Sequence, residues 1–326
     1  MTRTIVLGWD GLDYELLQEF ELEFCEYTAQ IETYKNETIG EPHTREIWPT
    51  MITGLPPEDH GIFAATRDGG VKWSDPKIRL ASRIAKYTVP ETVKSYVGRK
   101  LRSRGTEVEK FRKEYYQDIG TVFDDRVSLP IAVPNYWTEM DDRFGFMFDR
   151  GAELSELPNK GNEWWQTANA EQQINIEQKM TSELGTKMGI LQWSFDYNYD
   201  LVWLWDGLLD TAGHIEPVAH HPFQERAYRI YSEMTHYILE KSNPDDNIVC
   251  ISDHGLQNGS HTMTPFVSSN NKQIVDEIDS VMDIAEVLTN VTPRSGELEF
   301  EGNGDFVSKR DTPESVAQNL EDLGYI

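Results

Sequence analysis

Six residues of metal-ligand type fall into three clusters far apart in the chain, each shortly after an apolar run. Asp10 follows TIVLGW. Asp210 and His214 lie in DTAGH, a few residues after DLVWLW. Asp253 and His254 follow NIVCIS, with His261 seven residues beyond. Carboxylate and imidazole groups of this kind bind divalent cations, zinc at about 2.0 to 2.2 Å. Asp210 and His214 are four apart, so on one helical turn their side chains point the same way. Six donors suffice for two cations, which sit about 3.5 to 4 Å apart in the usual two-metal site. A hydroxyl beside such ions could serve as a nucleophile. Thr44, in TREIWPTMITG, is the candidate, since a base or metal can activate its hydroxyl. At a helix start it would also face N–H groups that favour an anion. The same position suits an N-cap, and the two roles are compatible. Thr50 and Thr53 fall inside the helical run. A second Asp-His-Gly, at Asp59-His60-Gly61, follows PPE rather than an apolar run, so it reads as a turn with His60 a structural hydrogen-bonding residue.

The elements that must bring these clusters together are strands. Residues 4–8 and the runs TVFD, LPIAVP, DLVWLW and NIVCIS are strand-like. Helical patterns separate them: DYELLQEFELEF, which Asp13 can cap, then AEQQINIEQKMTSEL and ERAYRIYSEMTHYILEK. Between them EPHTREIWPTMITGLPPEDHGI begins as a loop and turns helical near Trp48. Alternating strands and helices predict an α/β protein, a three-layer α/β/α sandwich around a mostly parallel sheet. In such a sheet ligands bind outside the carboxyl ends of the strands, where all three clusters belong. We expect a single catalytic domain over 1–326, with a helical insertion at about 68–190 that caps the site and sets substrate choice. Thr312 as N-cap, Pro313 and Gly324 punctuate a docked terminal helix with Val316, Leu320 and Leu323 on one face.

The formal net charge of −26 repels phosphates over most of the surface, which argues against general nucleic-acid binding. Recurrent apolar runs exclude disorder. Between an ordinary acidic protein and one adapted to high salt, the charge favours salt adaptation, because screening suppresses self-repulsion. Cys25 and Cys250 form no disulfide or thiolate-metal pattern, and Cys250 sits in an apolar run. The N-terminus lacks a signal-peptide stretch and no run of about 18 apolar residues exists, so a cytoplasmic protein is expected. One segment departs from the acidic balance: residues 77–113 hold twelve Lys or Arg and three Glu. It reads either as a solvated helical face or as a surface for an anionic substrate or membrane. In the second case Arg99, Lys100, Arg102 and Arg104 would attract a substrate bearing more charge than one phosphate.

These residues, in this order, resemble the alkaline phosphatase superfamily, which includes sulfatases, nucleotide pyrophosphatase/phosphodiesterases and cofactor-independent phosphoglycerate mutases. The resemblance covers most of the chain outside about 68–190. In the phosphodiesterases a nucleophilic Thr precedes a Thr-Gly pair by nine residues, and a P-x-x-H-G-I ending follows. Thr44 stands nine before Thr53-Gly54, and Pro57 to Ile62 supply the ending. The resemblance implies that Asp10, Thr44, Asp253 and His254 surround one metal and that Asp210, His214 and His261 hold the other. It implies two divalent ions, zinc first, with manganese or iron as alternatives, and a small anionic phosphoester substrate. DSVMDIAEVL and the final LGYI look most like sulfatases. Sulfatases, however, place a convertible Cys or Ser where Thr44 stands, and Glu46 replaces the Pro of both motifs. Sulfate-ester chemistry is therefore disfavoured. Transfer of a phospho-headgroup, and a non-catalytic metal-stabilised binding protein, are the alternatives.

Overall fold

A computed structural model describes residues 2–37, 39–63, 111–144, 169–219 and 221–299. Six strands form one sheet in the order β2–β8–β5–β1–β4–β3. They are β1 (Thr4–Trp9), β2 (Tyr27–Gln30), β3 (Ser128–Ile131), β4 (Leu201–Asp206), β5 (Asn247–Ile251) and β8 (Phe266–Ser269). β1 pairs in parallel with β4 and with β5, and β3 pairs in parallel with β4. β8 alone runs against its neighbours β5 and β2. A small antiparallel hairpin, β6 (Gly255–Gln257) and β7 (Ser260–Thr262), follows β5.

β1, β4 and β5 are buried along their whole length, as expected of parallel strands covered on both faces. Side chains alternate across the sheet. Trp9 stacks on Tyr231 of helix 223–241, centroids 4.2 Å apart. On the other face Trp203 meets Trp48 of helix 44–53 edge-on at 6.2 Å. The α/β fold with flanking helices read from the sequence is thus present.

Several local expectations are corrected. TVFD (121–124) forms turns, not a strand. Asp124 Oδ2 takes the Thr121 N–H at 2.6 Å, and Gly120 and Asp125 on either side have positive φ, so local polar bonding outweighs strand propensity. The first helix, α1 (Tyr14–Glu19), stops before Phe24, which leaves the helical path after Glu21 (φ 51) to pack against Phe266. Within 68–190, β3 is an edge strand of the sheet itself and helix 170–193 packs along β4. Residues 77–110, with the four basic residues named above, and the expected C-terminal helix lie outside the described residues.

His60 is fully buried. Its Nδ1 accepts the Ile62 N–H at 3.1 Å and its Nε2 lies 3.0 Å from Thr50 Oγ1, so its role is structural. Burial lowers it from the ordinary 6.5 to about 4. The folded state therefore resists a proton that the unfolded chain accepts. His60 contributes stability fully above pH 6.5, and it is lost as the pH falls toward 4. We expect the urea midpoint to drop between pH 7.5 and 4.5, and His60→Gln to shrink that drop. An equal drop in the variant would refute this.

Candidate metal centre

Four of the seven candidates follow the carboxyl ends of β1, β4 and β5 within four residues, while His214, His261 and Thr44 come from a helix, a hairpin strand and a helix start. Asp10 follows β1, and its N–H bonds to the Asp206 carbonyl of β4 at 3.0 Å. Asp253 and His254 follow β5 and are fully buried. Asp210 and His214 lie on the helix Leu208–Ile215, which begins directly after β4. Gly11, at φ 78, lets the β1 loop run beside that helix: a Cβ there would stand 2.8 Å from the Asp210 Cα. His261 comes from β7. Thr44 is the first residue of helix Thr44–Thr53, whose N-cap is His43, not Thr44. The His43 Nδ1 takes the Arg45 N–H at 3.2 Å, and its carbonyl takes those of Glu46 and Ile47. These bonds occupy N–H groups of the first turn, so the helix start offers an anion less than its position suggests.

The donor atoms cluster in two groups. Asp10, Asp253 and His254 form one; Asp210, His254 and His261 form the other. His254 belongs to both, and its ring stacks on that of His261 at 4.1 Å. His214 Nε2 lies 3.1 Å from His261 Nε2 and 3.4 Å from Asp210 Oδ1. Thr44 Oγ1 is 3.1 Å from Asp10 Oδ1 and 3.3 Å from His254 Nε2. All seven candidate residues are thus neighbours in one place.

The three imidazoles share a hydrogen-bonding pattern. His214 Nδ1 faces the Gly259 carbonyl at 3.1 Å, His254 Nδ1 the Gly255 carbonyl at 3.1 Å, and His261 Nδ1 the Pro42 carbonyl at 2.8 Å. A carbonyl only accepts, so each Nδ1 carries a proton, and each Nε2 presents a lone pair when its ring is neutral. Backbone carbonyls orient metal-ligating histidines in this way. Two bare Nε2 atoms 3.1 Å apart, with the Asp210 carboxylate beside them, repel one another unless something positive lies between. Asp210 Oδ1 and Asp253 Oδ2 are buried without hydrogen-bond partners among the described residues. Such orphaned carboxylate oxygens are expensive unless they bind a cation. The donor set therefore fits two divalent ions.

The electrostatics agree. Burial lowers His254, against the pull of Asp253, so its neutral, ligating form is favoured. Burial alone would also lower His214 and His261, but the Asp210 carboxylate outweighs it and raises both, His261 to about 9. Burial opposes the charge on Asp210, yet the two imidazoles hold its carboxyl well below the ordinary range. The group around Asp210 thus attracts positive charge.

Sequence reasoning missed two supporting groups. His43 caps the helix that begins at Thr44, although no pattern in the sequence distinguishes it from a loop histidine. Asp206, at the end of β4, holds the Leu208 N–H at 2.9 Å, the Tyr231 hydroxyl, and Lys187 Nζ at 2.9 Å, with Lys187 wholly buried. A lysine in an amphipathic helix is normally solvated, so its burial could not be read from the pattern.

The family model for type I phosphodiesterase / nucleotide pyrophosphatase matches residues 4–323. The chain belongs to that family. No curated protein matches the sequence. Among solved structures, murine ectonucleotide pyrophosphatase/phosphodiesterase 5 is 12% identical with a TM-score of 0.39, over 78% of this chain and 57% of that one. The chain thus spans little more than half of the murine protein. A protein of Pyrococcus horikoshii is 12% identical at TM-score 0.41, over 91% and 99% of the two chains. Alkaline phosphatase from the Antarctic bacterium TAB5 is 10% identical at 0.45, over 90% and 99%. No helix among the described residues is long and apolar enough to cross a membrane.

Proposed function

We propose that this phosphodiesterase-family chain is a two-metal phosphoester hydrolase with Thr44 as nucleophile, acting on a small anionic phosphodiester or phosphomonoester. The observation that carries the reading is the position of Thr44 Oγ1, between Asp10 Oδ1 and His254 Nε2, beside two groups of cation donors. Asp10, Asp253 and His254, with Thr44, would hold one ion; Asp210, His214 and His261 would hold the other. Two divalent cations, zinc being our first choice, would supply Lewis acidity that lowers the pKa of a nearby hydroxyl and neutralises phosphoryl charge. The Asp10 carboxylate accepts from the Thr44 hydroxyl and fixes the direction of its lone pairs. The helix start holds Thr44 in place, because His43 ties down the first turn. Attack by Thr44 Oγ1 on phosphorus, its proton leaving to solvent by way of the Asp10 carboxylate, forms a phosphothreonine and breaks the phosphorus–oxygen bond to the alcohol, which solvent protonates. Water then cleaves the phosphothreonine bond, restoring the hydroxyl and releasing phosphate or a phosphomonoester.

Chromogenic phosphodiester, phosphomonoester and sulfate ester, offered to the purified chain together with metal analysis, test this. Two divalent ions per chain and turnover of a phosphoester, with the sulfate ester at background, are expected. Bound metal without turnover of any ester would indicate a binding protein, and preference for the sulfate ester a sulfatase.

A further inference from the structure

Asp13 is fully buried at the end of the β1 loop, three residues beyond Asp10. Its Oδ1 caps helix α1 by accepting the N–H groups of Glu15 at 2.9 Å and Leu16 at 3.2 Å. A cap needs no more than this. Yet Oδ1 also accepts from Gln257 Nε2 at 3.0 Å, and Oδ2 accepts the hydroxyls of Thr262 at 2.5 Å and Thr264 at 2.6 Å. All three of these donors belong to the β6–β7 hairpin or to its exit. The hairpin backbone is drawn so close that a Cβ on Gly255 would stand 2.2 Å from Asp13 Oδ2 and 2.2 Å from Thr262 Oγ1. His261 is the neighbour of Thr262. It enters the second donor group on a strand of three residues whose only sheet partner among the described residues is β6. A strand so short does not hold a side chain still without other restraint.

Resting on the two-metal reading, we propose that Asp13 is a positioning residue for the second cation. It pins the hairpin to the β1 loop and so fixes His261 against Asp210 and His254. The first group leans on the hairpin less: His254 Nδ1 faces the Gly255 carbonyl at the start of β6, but Asp253 and His254 follow β5 directly, and the β1 loop reaches them through the Leu12 N–H, which Ser252 Oγ accepts at 3.0 Å. The same carboxylate thus does two things, capping a helix and setting the affinity of a metal site about one side chain away.

The test is zinc binding by the full chain, measured by competition with a chromogenic chelator. Asp13→Asn keeps an oxygen for the α1 cap and presents an amide to the two threonines. Thr262→Val removes one of those contacts and leaves Asp13 intact. In both variants we expect one zinc ion to bind as in the unmutated chain and the other to bind about 10- to 100-fold more weakly, the usual effect of losing a group that orients a ligand. Thr262→Ser should restore the affinity. With cobalt in place of zinc, the visible spectrum of the weaker site should change in Asp13→Asn. If Asp13→Asn fails to fold, Thr262→Val and Thr262→Ser decide the matter alone. Two unchanged zinc affinities in a folded variant would overturn the proposal and leave the two-metal reading standing. Equal weakening of both ions would also overturn it, pointing to a general structural role. An unmutated chain that binds no zinc would overturn both.

Discussion

Thr44→Ala is expected to reduce phosphoester turnover by a factor on the order of 10⁶, the scale seen when a catalytic nucleophile is removed, while both cations stay bound. The two halves of this outcome have separate origins. Turnover falls because Thr44 Oγ1 is the hydroxyl that faces both Asp10 and His254. Metal is retained because Asp10, Asp253 and His254 already form a donor group without it. Steady-state rates together with metal content check both halves. Near-normal turnover in the variant would mean that water attacks phosphorus directly and that no phosphothreonine forms. Loss of metal along with activity would make Thr44 chiefly a ligand.

Asp253→Ala should behave differently, losing an ion as well as activity. Among the described residues Asp253 Oδ2 is buried and makes no hydrogen bond, its nearest nitrogen being His254 Nε2 at 3.4 Å, so its carboxylate is poorly compensated by the protein itself. Removing it takes away a ligand that supports several kcal/mol of charge stabilisation, so turnover should fall by about 10³ or more. Stability without metal should not suffer. The variant leaves no strong donor orphaned: the Gly11 N–H reaches Oδ1 only at 3.5 Å, and His254, whose Nε2 is 3.4 Å from Oδ2, has its Nδ1 proton on the Gly255 carbonyl. It also removes an uncompensated buried charge. In the presence of a chelator the melting temperature should equal or exceed that of the unmutated chain, and added zinc should raise it less. A lower melting temperature in chelator would show that Asp253 stabilises the fold by itself.

The ends of the central strands were legible because β1, β4 and β5 are continuous apolar runs that break off at a charged residue. Their order in the sheet brings Asp10, Asp253 and the Asp210 helix to one edge, as the strand-end argument requires. Less could be read where single residues decide the local path. TVFD has strand composition, yet two positive-φ residues and one Asp carboxylate fold it into turns. Thr44 looked like a cap, while the real cap one residue earlier is an imidazole, a type that sequence statistics do not favour. Asp13 was readable as a cap, but its three bonds to Gln257, Thr262 and Thr264 join positions far apart in the chain, and no periodicity reports such contacts.

The strand order also governs when the protein can assemble. β1 is made first and lies at the heart of the sheet, but its two partners start roughly 200 and 240 residues later, with Thr4 opposite Leu201 and Asn247. A nascent chain that has emerged as far as Trp193 already carries Asp10 and Thr44, yet β1 has bare edges on both sides. His214, His254 and His261 have not emerged at that point. Synthesis must run past His261 before the candidate donor set is complete. Until then TIVLGW is an unpaired apolar strand, the kind of segment that a chaperone has to shield from other chains.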